Sequence, residues 1–168
     1  MELYLMRHGI AADRADGRWS RDSERPLTEE GIAKMREIAK GLSAAGVAFD
    51  TIISSPLVRA RETAGIVARV QGSAVEVEET AALAAGATSP AAVYAAIGKG
   101  SKDARILLVG HEPDLGLLAA ALLGLPAASA IPFKKGGALR IDVGGMPPQE
   151  PGVLVWMLTP RLARSLRG

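Results

Sequence analysis

Cysteine is absent from this chain of 168 residues, and aromatic side chains make up only 4% of it. Without cysteine there is no disulfide and no thiolate ligand for a metal, and a cytoplasmic location is expected. Nucleic-acid-binding proteins combine a strongly basic surface with rings that stack on bases. This chain has few rings and a net charge of only +2, so we expect no nucleic-acid partner.

Long apolar runs are absent as well. No window approaches eighteen consecutive apolar residues, so we expect no transmembrane helix and no membrane partner. The chain begins directly with a strand-like segment and lacks a basic region, an apolar run and a cleavage site, so we expect no signal peptide. With 48% apolar residues and neither a linker nor an internal repeat, it is predicted to form a single domain over residues 1–168.

Short apolar runs alternate with segments of helical periodicity. Four strong runs predict buried strands and two weaker runs predict edge or antiparallel strands: Leu3–Met6, Thr51–Ser54, Arg105–Val109 and Val153–Leu158, then Ala74–Val77 and Ala138–Val143. Helices are predicted to begin at five capping or proline signals: Thr28, Ser55-Pro56, Pro90, Pro113 and Pro160. This alternation predicts an α/β fold with a largely parallel sheet.

The segment Asp13–Pro26 is polar and charged and shows neither a helical nor a strand period. We predict a long surface loop here, and loops of this length in compact domains often carry function. The loop leads into the predicted helix that begins at Thr28.

The two histidines of the chain each follow a predicted strand. His8 comes after the first strand and His111 comes after the fourth, beside the glycines Gly9 and Gly110, which permit close backbone approach. Ligands of open α/β sheets bind at the carboxyl ends of the strands, so we expect both imidazoles at one rim of the sheet. Either histidine alone is equally well explained as a hydrogen-bonded structural residue.

Two arginines accompany the histidines. Arg7 precedes His8, and Arg59 lies in the first turn of the helix that follows the second strand, near Ser55. A cation in a first helical turn opposes the helix dipole unless both bind the same anion. Guanidinium groups match phosphate oxygens, and their charge is expected to lower the pKa of His8 and keep it a neutral nucleophile. The pattern predicts phosphoryl transfer through a phosphohistidine intermediate, and the absence of HExxH-type spacing argues against a zinc site.

Four segments resemble the motifs of the histidine phosphatase (phosphoglycerate-mutase-like) superfamily, in the family's order: LMRHG, RPLTEEG, SSPLVRARETA and LLVGHEP. The ending, WMLTPRL after FKKGGALRIDV, is similar to the SixA-type phosphohistidine phosphatase branch. The resemblance implies one histidine phosphatase domain, a three-layer α/β/α sandwich with a central, mostly parallel sheet, and no metal or organic cofactor. It also implies His8 as the phosphorylated nucleophile in a pocket completed by Arg7, Arg59 and His111.

The chain departs from the family at the acidic residue that protonates the leaving oxygen. The corresponding region reads TAALAAGATSP, and the expected position falls near Ala85. Proton donation is worth roughly 10²–10⁴-fold to an alkoxide leaving group, whereas the imidazole of a phosphoramidate can be protonated from solvent. The predicted substrate is therefore a phosphorylated histidine of a protein, for example a signalling phosphotransfer protein. Four carboxylates remain as alternative acids: Glu24, Glu62, Glu79 and Glu112.

Further interpretations stay open at this point. Gly9 and Ser55 are predicted to assist phosphate binding, although capping of the following helix also explains Ser55. A small phosphorylated molecule, such as a sugar or nucleotide phosphate, is the alternative substrate for the same pocket. A phosphate-binding module without turnover is the third interpretation, and a mutase is disfavoured because it needs a more elaborate lid. The oligomeric state is left undetermined.

Overall fold

The computed structural model describes residues 1–72, 75–87, 89–98, 101–126 and 131–166. Within these ranges six strands alternate with five helices: β1 (Glu2–Arg7), α1 (Glu29–Ala44), β2 (Thr51–Ser54), α2 (Val58–Gln71), β3 (Glu76–Glu79), α3 (Pro90–Ile97), β4 (Arg105–Gly110), α4 (Asp114–Leu122), β5 (Ala138–Asp142), β6 (Val153–Leu158) and α5 (Pro160–Ser165). Among the described helices, none has the length and apolar character needed to cross a bilayer.

The six strands form one sheet in the order β3-β2-β4-β1-β5-β6. The first four of these are parallel neighbours, whereas β5 runs antiparallel to both β1 and β6. The parallel strands β1, β2 and β4 lie side by side at the centre, so their carboxyl ends open on the same rim. The prediction of a mostly parallel α/β sheet is confirmed.

Helices cover both faces of the sheet. Leu3 and Leu5 of β1 point to one face, and Tyr4 and Met6 point to the other, because successive side chains of a strand alternate. The first face packs on the apolar residues of α3 and α4: Val93, Leu115, Leu118 and Leu122. The second face packs on those of α1, α2 and α5: Met35, Ile38, Leu42, Ala60, Ala64, Val67 and Ala163. The three-layer α/β/α arrangement is therefore confirmed.

One strand differs from its prediction in burial. Val153–Leu158 was expected to be buried, but β6 lies at the edge of the sheet beside β5. Four of its apolar side chains are 39–66% exposed: Val153, Leu154, Val155 and Met157. An apolar run therefore predicted the strand correctly but not its position in the sheet.

Two predicted boundaries were wrong. The weak strand predicted at Ala74–Val77 lies at Glu76–Glu79, because its pairing with β2 joins Thr51 to Glu76, and residue 74 is outside the described residues. The helix expected to begin at Pro56 begins at Val58 instead. The predicted capping residue, Ser55, accepts a hydrogen bond from the N–H of Leu57 at 3.3 Å, just before the helix, and its hydroxyl also contacts a residue of the site described below.

Two helical glycines provide a test of the packing between layers. A Cβ added at Gly41 in α1 would lie 1.9 Å from the carbonyl oxygen of Ala163 in α5, whereas a Cβ at Gly65 in α2 would meet nothing nearer than Arg69 Nη1 at 3.9 Å. We expect Gly41→Ala to lower the free energy of unfolding by about 2 kcal/mol, since the α5 backbone must shift. Gly65→Ala, the matched control, should raise it by about 0.5–1 kcal/mol. Urea unfolding of both variants measures the effect, and a Gly41→Ala variant as stable as the parent would contradict the close α1–α5 contact.

Candidate active site

The carboxyl ends of three neighbouring strands bring the predicted site residues together. Arg7 ends β1 and His8 follows it, Ser55 follows β2, and His111 follows β4. Arg59 enters from the first turn of α2. Arg7, His8, Arg59 and His111 line one cavity of about 380 Å³. Residues separated by more than a hundred positions thus meet at the rim where the topology places ligands.

The hydrogen bonds of His8 define its tautomer. Its Nδ1 lies 2.7 Å from the carbonyl oxygen of Gly9, which only accepts, so Nδ1 carries the proton. Its Nε2 lies 3.2 Å from Arg59 Nε, which only donates, so Nε2 carries the lone pair. The imidazole is consequently neutral, with its unprotonated nitrogen facing the guanidinium group in the cavity.

Burial is the main reason why His8 stays neutral. The side chain is only 6% exposed, and its pKa falls from the ordinary 6.5 to about 3. Desolvation is the largest cause of this shift, and the charges of His111, Arg59 and Arg7 lower the pKa further, while the Gly9 carbonyl opposes them. The predicted direction is confirmed, but its main cause is burial more than the neighbouring arginines, because water is excluded from the imidazolium form.

His111 lies beside His8 with a free nitrogen. The two ring centroids are 5.1 Å apart, and His111 Nε2 lies 2.8 Å from the hydroxyl oxygen of Ser55. Nδ1 is buried and has no hydrogen-bond partner among the described residues. Burial also lowers the pKa of His111, to about 4. When the Ser55 hydroxyl donates to Nε2, the Nδ1–H becomes a donor available to a bound anion.

Arg7 and Arg59 surround His8 with guanidinium donors. Arg7 Nη1 donates to the carbonyl oxygen of Phe133 at 2.8 Å, which fixes the side chain, and its Nε is buried without a partner among the described residues. Arg59 is 4% exposed, and burial lowers its pKa, although the carboxylate of Asp22 opposes that shift. Two residues of the cavity lining, Arg7 and His111, thus each carry a buried nitrogen without a partner among the described residues, and such groups suit a bound anion.

Gly9 and Ser55, which were predicted to assist phosphate binding, form hydrogen bonds with protein groups in this structure. The N–H of Gly9 donates to Thr63 Oγ1 at 3.1 Å, so it is not free for phosphate. The glycine is needed for packing, since an added Cβ would lie 2.7 Å from Met35 Cγ. Ser55 is fully buried and binds His111 in place of an anion. Both residues support the site from behind and do not line the cavity.

Besides Arg14, two charged residues of the cavity lining were not singled out by the sequence: Asp22 and Arg25. Both belong to the predicted loop Asp13–Pro26, whose regular structure is limited to two short 3₁₀ turns. Asp22 accepts from Arg59 Nη2 at 2.9 Å and from Arg25 Nη2 at 2.6 Å. Arg25 also donates to the carbonyl oxygen of Ala12 at 2.7 Å. The length and charge of the loop indicated a functional role, but nothing local indicated which carboxylate reaches Arg59.

Of the four alternative acids, three lie outside the cavity lining and one belongs to it. Glu24, Glu62 and Glu79 lie outside the cavity lining, and Glu62 Oε2 accepts a hydrogen bond from the N–H of Leu27 at 2.6 Å. Glu112 does line the cavity, together with Ala85, the position of the missing family acid. Glu112 is therefore the carboxylate that the fold brings near the missing acid.

The carboxyl group of Glu112 is held in a poorly solvated position. Backbone N–H groups of Phe133 and Gly116 donate to it, and its Oε1 is buried without a hydrogen-bond partner among the described residues. Burial raises the pKa of Glu112, and Arg7 opposes this shift through its charge. The neutral carboxylic acid is thus favoured more than in water.

The two histidines should make stability depend on pH. Their pKa values of about 3 and about 4 lie below the ordinary 6.5, so the unfolded chain binds more protons between these limits. The free energy of unfolding should be fully retained above pH 6.5 and decline as the pH falls towards 4, by about 1.4 kcal/mol per pH unit for each histidine. Urea unfolding between pH 7 and pH 4.5 measures this slope. The double variant His8→Gln/His111→Gln should lose it, and a flat parent profile would contradict the burial of neutral imidazoles.

The donor set of this cavity suits an anion better than a metal. Among the described residues, no three histidine or carboxylate side chains come close enough to hold a metal ion. Arginine and the N–H groups of neutral imidazole are phosphate donors and are not metal ligands.

Comparisons with known proteins agree with this geometry. The model of the histidine phosphatase superfamily (branch 1) matches residues 3–84. An uncharacterised protein of Picosynechococcus sp. is 38% identical over 145 residues, which covers 86% of each chain. The phosphohistidine phosphatase SixA of Escherichia coli is 31% identical over 125 residues, covering 73% of this chain and 74% of SixA.

Solved structures show the same fold. The structure of the protein histidine phosphatase SixA in complex with tungstate superposes with a TM-score of 0.79 at 24% identity, covering 96% of this chain and 98% of SixA. The architecture and the family model thus support each other, and the sequence relationship to SixA extends over most of both chains. This chain belongs to the histidine phosphatase superfamily and is a phosphatase related to SixA.

Proposed function

We propose that this chain, as a single histidine phosphatase domain over residues 1–168, hydrolyses protein phosphohistidine through a covalent intermediate on His8. The observation that carries the proposal is the arrangement of donors around a neutral imidazole. His8 Nε2 faces the cavity with its lone pair, and the partnerless N–H groups of Arg7 and His111 lie in the same cavity. Such an arrangement fits a tetrahedral anion whose central atom is attacked from one side.

The first step transfers the phosphoryl group to the enzyme. The lone pair of His8 Nε2 attacks phosphorus, and the bond from phosphorus to the substrate's imidazole nitrogen breaks. That nitrogen takes the bonding electron pair and a proton, and leaves as neutral imidazole. Arg59 Nε, which donates to His8 Nε2 in the resting site, transfers its hydrogen bond to a phosphoryl oxygen. Arg7 Nε and His111 Nδ1 donate to the other oxygens, where negative charge accumulates.

Water completes the cycle. A water oxygen attacks the phosphorus of phospho-His8, and the water gives up one proton to the solvent. The bond between phosphorus and Nε2 breaks, so the electron pair returns to the imidazole. The Gly9 carbonyl keeps Nδ1 protonated during both steps, since it can only accept a hydrogen bond. Inorganic phosphate is the product, and no cofactor enters either step.

The residue at position 85 of the cavity wall indicates which leaving group the site favours. This position faces the cavity but offers only a methyl group. Without a proton donor an alkoxide leaves slowly, whereas the imidazole of a phosphohistidine acquires its proton readily from water. A phosphorylated histidine of a protein is therefore the substrate that this wall favours.

A small-molecule phosphomonoester is the second candidate substrate, and Glu112 is the observation that favours it. Its carboxyl group lines the same cavity, and burial raises its pKa, which makes the group easier to protonate than an exposed glutamate. In that case Glu112 would protonate an ester oxygen in place of the missing acid at Ala85. The pocket and the nucleophile would be unchanged.

Phosphate release distinguishes the two substrates. The protein is assayed in the presence of EDTA against a phosphohistidine peptide and a panel of sugar and nucleotide phosphates. We expect at least 100-fold higher kcat/KM for the phosphohistidine peptide, from the missing proton donor, and little effect of Glu112→Gln on it. Preferential turnover of a stable phosphomonoester, abolished by Glu112→Gln, would overturn the phosphohistidine proposal in favour of the second candidate.

A further inference from the structure

The cavity contains more positive charge than one phosphoryl group requires. Besides Arg7 and Arg59, it is lined by Arg14, Arg25 and Lys135. Arg14 lies in the loop between β1 and α1, and Lys135 lies in the segment that precedes β5. The volume of about 380 Å³ is in the range that accommodates an entire small ligand, so it extends beyond the nucleophile.

Four other charged groups of the cavity already have partners within the protein. Arg59 and Arg25 share the carboxylate of Asp22, and the backbone N–H groups of Phe133 and Gly116 donate to the carboxyl group of Glu112. Arg7 faces the phosphoryl position beside His8. Two cations thus remain, because Arg14 and Lys135 have no side-chain hydrogen bond or ion pair within the described ranges.

We propose that Arg14 and Lys135 form a second anion-binding subsite at the mouth of the phosphoryl cavity. The two side chains come from different loops and are both exposed, so they can approach a ligand from separate directions. Cations that share a cavity with other cations repel one another until an anion binds between them. The subsite takes a carboxylate or phosphate group that the substrate carries next to its transferable phosphoryl group.

Taken together with the proposed function, on which this step rests, the subsite narrows the class of phosphohistidine proteins that can serve as substrate. A phosphohistidine bound at His8 would place the neighbouring surface of its protein at the cavity mouth. An aspartate or glutamate beside that histidine would supply the second anion. The expected partner is therefore a protein whose phosphohistidine lies among acidic side chains. A small molecule with two anionic groups is the other source of the same chemistry.

The first test measures binding and is independent of turnover. Calorimetry compares 3-phosphonopropionate, which carries a carboxylate beside a non-hydrolysable phosphonate, with ethylphosphonate, which lacks it. We expect 3-phosphonopropionate to bind about tenfold more tightly, with the difference decreasing at high salt. Arg14→Gln/Lys135→Gln should remove the difference. Equal affinities in the parent, or an unchanged difference in this variant, would overturn the subsite.

The matched control variant is Arg36→Gln/Lys134→Gln. It removes the same charge, but Lys134 is an exposed neighbour that does not line the cavity, and Arg36 is exposed on α1 away from it. This variant should retain the tenfold difference. Loss of the difference in both variants would show that net charge alone is responsible, and would overturn a defined subsite.

The second test identifies the source of the anion. Two phosphohistidine peptides of equal length carry either Asp and Glu or Asn and Gln around the phosphorylated residue. We expect about tenfold higher kcat/KM for the acidic peptide, lost in Arg14→Gln/Lys135→Gln and kept in the control. Equal turnover of both peptides, together with tight 3-phosphonopropionate binding, would assign the subsite to a small molecule and overturn the acidic-partner assignment. If neither peptide is hydrolysed, the proposed function fails, while the phosphonate comparison still decides the subsite.

Discussion

Replacing His8 with alanine is expected to lower the rate of phosphate release by about 10⁴-fold or more, because the reaction then lacks its nucleophile. The variant should also lose the acid-labile phosphoenzyme that rapid quenching with a labelled phosphohistidine substrate detects in the parent. The remaining donors on Arg7, Arg59 and His111 are left in place. We therefore expect the variant to bind phosphonates with an affinity within a few-fold of the parent.

Two measurements distinguish loss of the nucleophile from loss of the fold. The unfolding transition of His8→Ala should remain cooperative, since the change removes one buried ring beside the cavity. Added imidazole should restore part of the activity by attacking phosphorus from the vacated space. Activity above about 1% of the parent without imidazole would rule out His8 as the nucleophile.

Replacing Arg59 with lysine should have the second largest effect: we expect kcat/KM to decrease by about 10²–10³-fold. Arg59 Nε donates to His8 Nε2 while its two terminal nitrogens donate to Asp22, at 2.7 Å to the carbonyl oxygen and 2.9 Å to the carboxylate. This requires a planar group with donors in three directions. A lysine ammonium can reach one of these partners, but it cannot keep the fixed orientation that phosphate oxygens need.

The neighbouring Arg61 offers a matched control on the same helix. Its side chain is 47% exposed and pairs with Glu79 at 3.6 Å, outside the cavity. Arg61→Lys should leave kcat/KM within about twofold of the parent, as expected for an exposed ion pair. Kinetics with a phosphohistidine peptide compare the two variants. Similar losses in both would mean that Arg59 contributes only to helix stability, and the phosphate-binding role would have to be abandoned.

Much of the fold was predictable because its signals are local. Each buried strand is a short apolar run, and Thr28 caps α1 by accepting a hydrogen bond from the N–H of Gly31 at 3.0 Å. His8 and His111 stand directly after such runs, so the rule that ligands bind at carboxyl strand ends sufficed to bring them to one rim. The edge strand β3 was misplaced by two residues because its residues are exposed and charged, and only pairing with β2 sets its position.

The hydrogen-bond partners of Ser55 and Gly9 could not be predicted, because they come from segments that are distant in the sequence. Ser55 looks like a helix cap in the sequence, yet its hydroxyl binds His111, 56 residues away, because β2 and β4 are neighbours in the sheet. Gly9 looks like a phosphate contact, yet its N–H binds Thr63. Local patterns identify which residues have unusual chemistry, but they do not reveal which of two available partners is nearer.

The sequence alone determined the alternation of strands and helices and the rim that carries both histidines, and it predicted phosphate chemistry from arginine beside imidazole. The tertiary structure decided how strongly the pKa of His8 falls, since that depends on burial by residues remote in the chain. It also decided that Asp22 holds Arg59 and that Arg14 and Lys135 line the same cavity. The physical reason is that periodicity and capping act over a few residues, whereas desolvation and charge pairing depend on the packed fold.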